Sequence, residues 1–343
     1  MPYQNIGEAY IWKTAYDQLH GKDSNQNIEN ALAAFQKAIS IRPRDENLHY
    51  YKGWAYILKG NNEYYSGQDW HASHEKTIQA CLKAIEINPN NTKSYNTIAS
   101  SFAVNAAWEM TCGNDPRESA RKAIMYARKA ISMNKNYANP YYNMATAYSA
   151  QALYELQHGM DPLDSIKQGN QAIQRANKIL GQARSLMDYD PLSAVEARWL
   201  MKQHRDPAAA FDHAIKEMES SIAYTPDYAE CYLYTADVYR WKAEWKISEN
   251  KSASSEIKQG LTLIDKAVSI MPNLYETFAL KGVFYLLKAK TENDRTRRIK
   301  LLLEAKKLLE DALSENRNIK AKYQPSLDEV NQLLKNSYKY PLP

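Results

Sequence analysis

A three-residue turn signal recurs along this chain at an almost invariant interval. Gly21-x-Asp23, Gly67-x-Asp69, Gly113-x-Asp115 and Gly159-x-Asp161 stand 46 residues apart, and 45 further on Asp206 follows His204 where the pattern calls for Gly. Self-similarity at a period of this size means a repeat architecture, in which no unit buries its own apolar face and neighbours must stack. Asp accepts backbone N–H groups at a helix start, and Pro116, Pro162 and Pro207, one residue on, occupy a first helical position where a missing N–H costs nothing. The Gly permits the left-handed backbone that ends the preceding helix. Each signal therefore predicts a tight turn between two helices.

A second series runs behind the first: Ala38, Ala84, Ala130, Ala176, Ser221, Ala267 and Ala312, each 45 or 46 residues from the last. Five residues after most of them a Pro stops the helix, at Pro43, Pro89, Pro226 and Pro272, with Lys135 and Gly181 among the exceptions. Only 11 Gly occur in 343 residues, and four are spent on the turn signal, so the remainder reads as long helices. The 26 Tyr sit mostly at helical spacing, which predicts many half-buried faces in place of one dry core.

The net charge of +5 is too small to demand a nucleic-acid partner, and it is concentrated in residues 281–343, read as a solvated helical face. Cys81, Cys112 and Cys231 are scattered and lack C-x-x-C spacing, which argues against a zinc site and a disulfide framework. A reducing, cytoplasmic setting is the expectation. No run of about 18 apolar residues and no signal-peptide core appears, so the chain as given is expected to be soluble.

The first helix is predicted from about Pro2 to Leu19, with Tyr3, Gly7 and Tyr10 on one face. The repeat carries that triplet to His49, Gly53 and Tyr56, then Tyr95, Ala99 and Phe102, then Tyr141, Ala145 and Tyr148. It resumes at Tyr232, Ala236 and Tyr239, then at Phe278, Gly282 and Tyr285. Aromatic, small, aromatic at i, i+4, i+7 is a helix face whose small residue admits a close partner.

This arrangement, with an Ala on the second helix and a Pro five residues later, resembles the tetratricopeptide repeat, whose usual unit is a helix hairpin of about 34 residues. The longer period here lengthens both helices. A long-helix form with Gly-x-Asp-Pro turns is similar to the repeat region found C-terminal to many bacterial serine/threonine protein kinases, as is the ending Ala312 Leu313 Ser314 Glu315 Asn316 followed by Tyr323 Gln324 Pro325 Ser326 Leu327. The resemblance implies an all-α, right-handed superhelical solenoid of antiparallel helix hairpins. Seven repeats are expected, at about 1–44, 45–90, 91–136, 137–182, 183–227, 228–273 and 274–318, with a capping helix at about 325–336 opened by Ser326-x-x-Glu329. One solenoid domain would span 1–343. Repeat five departs from the pattern, with Met187, Pro191 and Ala194 at the triplet positions, and Asp190-Pro191 reads as the start of a shorter helix of about 191–204. The loop at 249–255 is expected to lose the turn signal, and Asn293-Asp294 to replace it in repeat seven.

No motif carries catalytic chemistry. His204-Arg205-Asp206 spells a kinase tripeptide, but Phe211 stands where that loop needs Asn, and no glycine-rich phosphate loop accompanies it. His71 and His74, beside Asp69 and Glu75, have helical spacing for a metal but lack a well-placed third ligand, so they read as residues of a capped helix start. No enzyme activity, cofactor or metal is expected.

The resemblance implies instead a partner-binding groove lined by the first helix of each hairpin. Carried over position by position, its residues are Gln4 and Glu8, Tyr50 and Trp54, Asn96 and Ser100, Tyr142 and Thr146, then Leu233, Asp237, Arg240 and Trp241. Trp12 falls on the same side. Such a mixture suits an extended peptide, held by stacking and by bonds to its backbone. The floor in repeats three and four is expected to be open. The chain is thus expected to be a protein-interaction scaffold binding a peptide or protein segment. The alternative is a regulatory or substrate-docking module of a bacterial serine/threonine kinase, whose catalytic domain would be supplied in cis or in trans. Nucleic acid, through the basic end, is the least expected partner, and self-association stays open.

Overall fold

The computed structural model describes residues 2–181 and 191–338. The expected Met187 and Asp190 positions of repeat five lie outside the described residues. Among the described residues the chain is all-α and falls into two compact units, Met1–Leu192 and Ser193–Pro343.

The first unit contains α1 (Pro2–Leu19), α2 (Asn25–Ile41), α3 (Glu46–Tyr65), α4 (His71–Ile87), α5 (Thr92–Thr111), α6 (Arg117–Met133), α7 (Asn139–Gln157) and α8 (Leu163–Leu180). The second contains α9 (Leu192–Lys202), whose first residue packs with the first unit, α10 (Ala208–Tyr224), α11 (Ala229–Ser248), α12 (Ser254–Ile270), α13 (Tyr275–Thr291), α14 (Arg295–Glu315), a 3₁₀ turn (Arg317–Ile319) and α15 (Lys320–Tyr338). α1 with α2, α3 with α4, α5 with α6 and α7 with α8 pair as hairpins in the first unit, as do α11 with α12 and α13 with α14 in the second, so each unit is an all-α solenoid segment.

The turn signal does the work its chemistry dictates. Gly21, Gly67, Gly113 and Gly159 have φ of 63°, 67°, 77° and 72°, the left-handed region where a Cβ is costly. The residue after each Gly donates its N–H back across the helix end, as Lys22 does to the Asp17 carbonyl at 2.8 Å and Asn114 to the Glu109 carbonyl at 2.8 Å, the bond that closes a helix C-terminus. Asp23, Asp69, Asp115, Asp161 and Asp206 each accept the backbone N–H two residues on, at 2.9–3.1 Å. His204 takes the Gly position with φ 53°, and Arg205 makes the same closing bond at 2.9 Å, so His204-Arg205-Asp206 is a helix turn. The expectation for residues 249–255 is corrected: Asn250 adopts φ 55° and Lys251 closes the helix at 2.8 Å, so the turn persists without Gly or Asp.

Between helices, the small residues set the approach. Ala38, Ala84, Ala130, Ala176, Ser221, Ala267 and Ala312 are all buried. A Cβ on Gly282 would stand 2.8 Å from Leu309 Cγ and 3.1 Å from the Ala305 carbonyl oxygen, so α13 and α14 pack too closely for any side chain there. One core cluster joins Ile11, Phe35, Leu48, Ala55 and Leu58 across α1, α2 and α3. A second, made largely of alanines that include Ala103, Ala106, Ala120 and Ala147, joins α5, α6 and α7.

A side-chain staple recurs beneath the turns. Asn27 donates to Asp17 at 2.9 Å, Ser119 to Glu109 at 2.9 Å, and Lys246 to Glu256 at 2.6 Å, the last with the charge transferred to the second helix. The capping helix is also corrected. It begins at Lys320, earlier than expected, because Asn316 caps the preceding 3₁₀ turn by accepting from the Asn318 N–H. Pro325 lies inside α15 and forgoes one helical bond, while Glu329, expected to close a capping box, pairs with Lys290 of α13 at 2.7 Å.

Candidate functional site

In the first unit, α1, α3, α5 and α7 carry the residues expected to meet a partner. Gln4 and Glu8 lie one turn apart and are joined by a 2.9 Å bond, and Arg42, just past the end of α2, reaches Gln4 at 2.8 Å. Glu8 also bonds the Tyr51 hydroxyl, whose pKa is raised by burial and by that carboxylate. The aromatics form a connected group. Trp12 meets Trp54 edge-on with centroids 5.0 Å apart, Trp54 lies 6.5 Å from Tyr50 and 6.3 Å from Tyr51, and Tyr51 stacks on Phe35 at 5.8 Å. Burial, with Tyr137 next, pushes the Tyr50 hydroxyl above its ordinary pKa, and the Lys93 ammonium sits 5.7 Å from the Tyr50 ring. Trp12 is 61% exposed, while Tyr50 and Trp54 are half-buried. Rigid, amphipathic rings of this kind gain binding energy on desolvation at small entropic cost.

Beyond the aromatics the surface becomes amide. Asn143 donates its Nδ2 to Asn96 Oδ1 at 2.9 Å and to the Asn96 carbonyl at 3.2 Å, and Ser100 is half-buried one turn on. Tyr142 and Thr146 are buried, and the Tyr142 hydroxyl donates to Asn177 of α8 at 2.6 Å. The residue reaching the surface at that level is Asn143, one place and about 100° further round the helix. Tyr51, Lys93 and Asn143 were not singled out from the sequence; the spacing of Asn143 from Asn96, one residue beyond the repeat, is the signal that points to it.

Unit two arranges its four expected residues differently. Leu233, Asp237 and Trp241 are buried, and only Arg240 retains partial exposure. Arg240 bonds Asp237 at 2.5 Å and Glu244 at 2.8 Å. Lys322 of α15 stands 3.1 Å from Asp237 and 3.0 Å from Glu276 of α13, whose carboxylate also accepts the Tyr323 hydroxyl at 3.1 Å. Burial alone would raise the Asp237 carboxyl, but the Arg240 and Lys322 charges outweigh it and hold the pKa down to about 2. Burial, then Glu276, drives the Tyr323 hydroxyl well above its ordinary value. Trp241 lies between guanidinium groups, with Arg198 4.3 Å and Arg240 5.3 Å from its ring centroid. These charges satisfy one another, so the cluster ties α11, α13 and α15 together and leaves little for a ligand to claim.

His71 and His74 are absorbed into packing. Trp70 stacks on His71 at 4.2 Å and meets His74 at 4.5 Å, and His71 bonds Asp69 at 2.7 Å. Among the described residues no group of three or more His, Cys, Asp or Glu is arranged to hold a metal, and no helix is long and apolar enough to cross a membrane.

No protein-family model and no curated protein matches the sequence. Solved structures do match. The chain aligns with the Cut9-Hcn1 hetero-tetramer of APC/C at 12% identity and TM-score 0.54, over 90% of its own length and 48% of that chain. It aligns with the human IFIT1 dimer with PPP-AAAA at 13% identity and TM-score 0.51, over 91% of its length and 70% of that chain. A tetratricopeptide repeat protein from Parabacteroides merdae aligns at 12% identity and TM-score 0.47, over 97% of this chain and 99% of that one. The chain thus spans about half the length of the Cut9-Hcn1 chain it matches. At these identities the likeness is one of fold. The class that fold defines is an all-α solenoid of antiparallel helix hairpins.

Proposed function

We propose that the chain is a protein-interaction scaffold and that it holds an extended peptide or protein segment on the surface made by α1, α3, α5 and α7. The observation that carries this reading is the connected ring group of Trp12, Trp54, Tyr50 and Tyr51, which grades into the Asn96–Asn143 amides. Rings with one wet face suit the side chains of an extended segment, and amides suit its backbone N–H and C=O groups. The Lys93 ammonium beside Tyr50 favours a partner with a carboxylate at that level. Arg240, Asp237 and Trp241, occupied by one another, and the buried Leu233 are left out of the contact surface.

The test is capture from lysate of the source organism by the intact chain and by a Tyr50→Ala, Trp54→Ala variant of equal helicity. The reading expects a partner retained by the first and lost by the second, and a synthetic peptide cut from that partner should bind with the same preference. Equal capture by both chains would remove the aromatic group from the function.

A further inference from the structure

We infer that the segment held by the first unit is proline-rich and lies across α1, α3 and α5 as a polyproline helix, with an acidic residue beside Lys93. This partner class presupposes the binding surface proposed above and adds to it the chemistry of what is held. What selects it is the balance of hydrogen-bonding groups on that surface. The Trp54 indole N–H, the Tyr50 hydroxyl and Asn96 Nδ2 donate no hydrogen bond to any described residue, although all three side chains are half-buried. Burial holds the Tyr50 hydroxyl above its ordinary pKa, so it stays protonated and able to donate.

The acceptors around these donors are largely engaged. Glu8 takes the Gln4 amide at 2.9 Å and the Tyr51 hydroxyl, Gln4 Oε1 takes Arg42 at 2.8 Å, and Asn96 Oδ1 takes Asn143 Nδ2 at 2.9 Å. Asn143 Oδ1 and the Ser100 hydroxyl can still accept, enough for the few N–H groups of non-proline residues. A segment of ordinary composition brings one N–H for every C=O, and most of its N–H groups would lose water here without gaining a partner. Proline brings the C=O alone. Its ring packs on indole and phenol faces, and Trp54 and Tyr50 offer two of them 6.5 Å apart and 29° from parallel. Lys93 supplies the charge complement. Its ammonium lies 5.7 Å from the Tyr50 ring centroid and pairs with no carboxylate among the described residues, so an Asp or Glu of the segment is its counter-charge.

Spacing points the same way. Packed helices lie about 8–10 Å apart, and a polyproline helix advances about 9 Å in one turn of about three residues. Residues i and i+3 of such a segment therefore meet α3 and α5 with the same face. A β-extended segment alternates faces at every residue, so at about 10 Å, three residues on, it presents the opposite one. Beyond α5 the helices close up: alanines that include Ala103 and Ala147 join α5 to α7, and the Asn143–Asn96 bond bridges the two. A short run of prolines over α1, α3 and α5 matches both the extent of the surface and its donors.

The experiment is calorimetric titration of the full chain with three capped synthetic peptides of equal length, with circular dichroism to confirm equal helicity of every variant. The first is an oligoproline with one central Glu, the second the same with Gln, and the third a Gly/Ser peptide with the same Glu. The Glu-bearing oligoproline should bind about tenfold or more tightly than the Gly/Ser peptide, because it is ordered beforehand. Trp54→Phe and Tyr50→Phe keep each ring and remove its donor, and each should weaken the oligoproline about fivefold. Lys93→Gln should erase the preference for Glu over Gln. Equal affinity for the Gly/Ser peptide, binding indifferent to both donor removals, or no preference for Glu in the intact chain would each overturn the assignment. A lysate partner lost on Tyr50→Ala, Trp54→Ala while no oligoproline binds would keep the surface and remove the proline-rich partner. Oligoproline binding unchanged by Tyr50→Ala, Trp54→Ala would remove both.

Discussion

His74 shows how far a single residue can depart from its local sequence context. It sits at the capped start of α4, where a histidine ordinarily faces water, yet it is 7% exposed. The room comes from Gly60 on α3, where a Cβ would stand 2.6 Å from His74 Cδ2. Burial, with the neighbouring His71 second, moves its pKa from 6.5 down to about 4. Between those values the unfolded chain binds a proton that the folded chain refuses, so stability rises with pH across the window. The His74 contribution is complete above about pH 6.5 and is lost as pH falls towards 4. Tryptophan-fluorescence melts should therefore show a midpoint that drops between pH 7 and pH 4.5, and His74→Leu should flatten that dependence. An unchanged slope in the variant would mean that His74 is hydrated in the folded protein. The burial is illegible in the sequence because Gly60 and His74 meet only once the hairpin has closed.

At the scale of the element, the turns and the capping helix divide what the sequence tells from what it withholds. Gly-x-Asp is read correctly wherever it is spelled out, since only Gly takes positive φ freely and Asp reaches the N–H two residues on. His204 and Asn250 adopt the same conformation at φ 53° and 55° because the helices on both sides over-determine the turn, a tertiary constraint with no local signature. α15 is misread for the reverse reason. Pro325 and Ser326 look like a helix start, and the true start depends on Asn316 and on Lys322 and Tyr323 reaching α11 and α13. Asp237 anchors that attachment. Its removal takes away the one buried carboxylate that Arg240 and Lys322 share, leaving Arg240 only Glu244 and Lys322 only Glu276 of these partners, so Asp237→Ala should cost about 3 kcal/mol, read as a lower urea midpoint. The wild-type contribution should persist above the ordinary carboxylate range and disappear as pH falls from about 4 towards 2. A loss below about 1 kcal/mol would show that the charges are solvated and that apolar packing alone holds α15.

For the whole molecule, the period is visible in the sequence and so is the place where it fails. The aromatic, small, aromatic face is missing from repeat five, and the division into two compact units falls at Leu192, beside Pro191. The physical reason is that α9 spans only Leu192–Lys202 and offers a shorter face to its neighbours than the other first helices do. A repeat array is stabilised by nearest-neighbour contacts, so each unit contains what it needs to fold. The first has the Ile11, Phe35 and Leu48 cluster and the alanine-rich cluster; the second has Phe211, Met218, Leu233, Ile264 and Phe284 fully buried. Residues 1–192 and 193–343, produced separately, should each show a helical circular-dichroism spectrum and a cooperative melt. Asp237→Ala should lower the midpoint of the second fragment, and partner capture should remain with the first, which holds Tyr50, Trp54 and Asn96. A first fragment that fails to fold would make the solenoid one cooperative body, and capture by the second fragment alone would move the binding surface to α11 and Arg240.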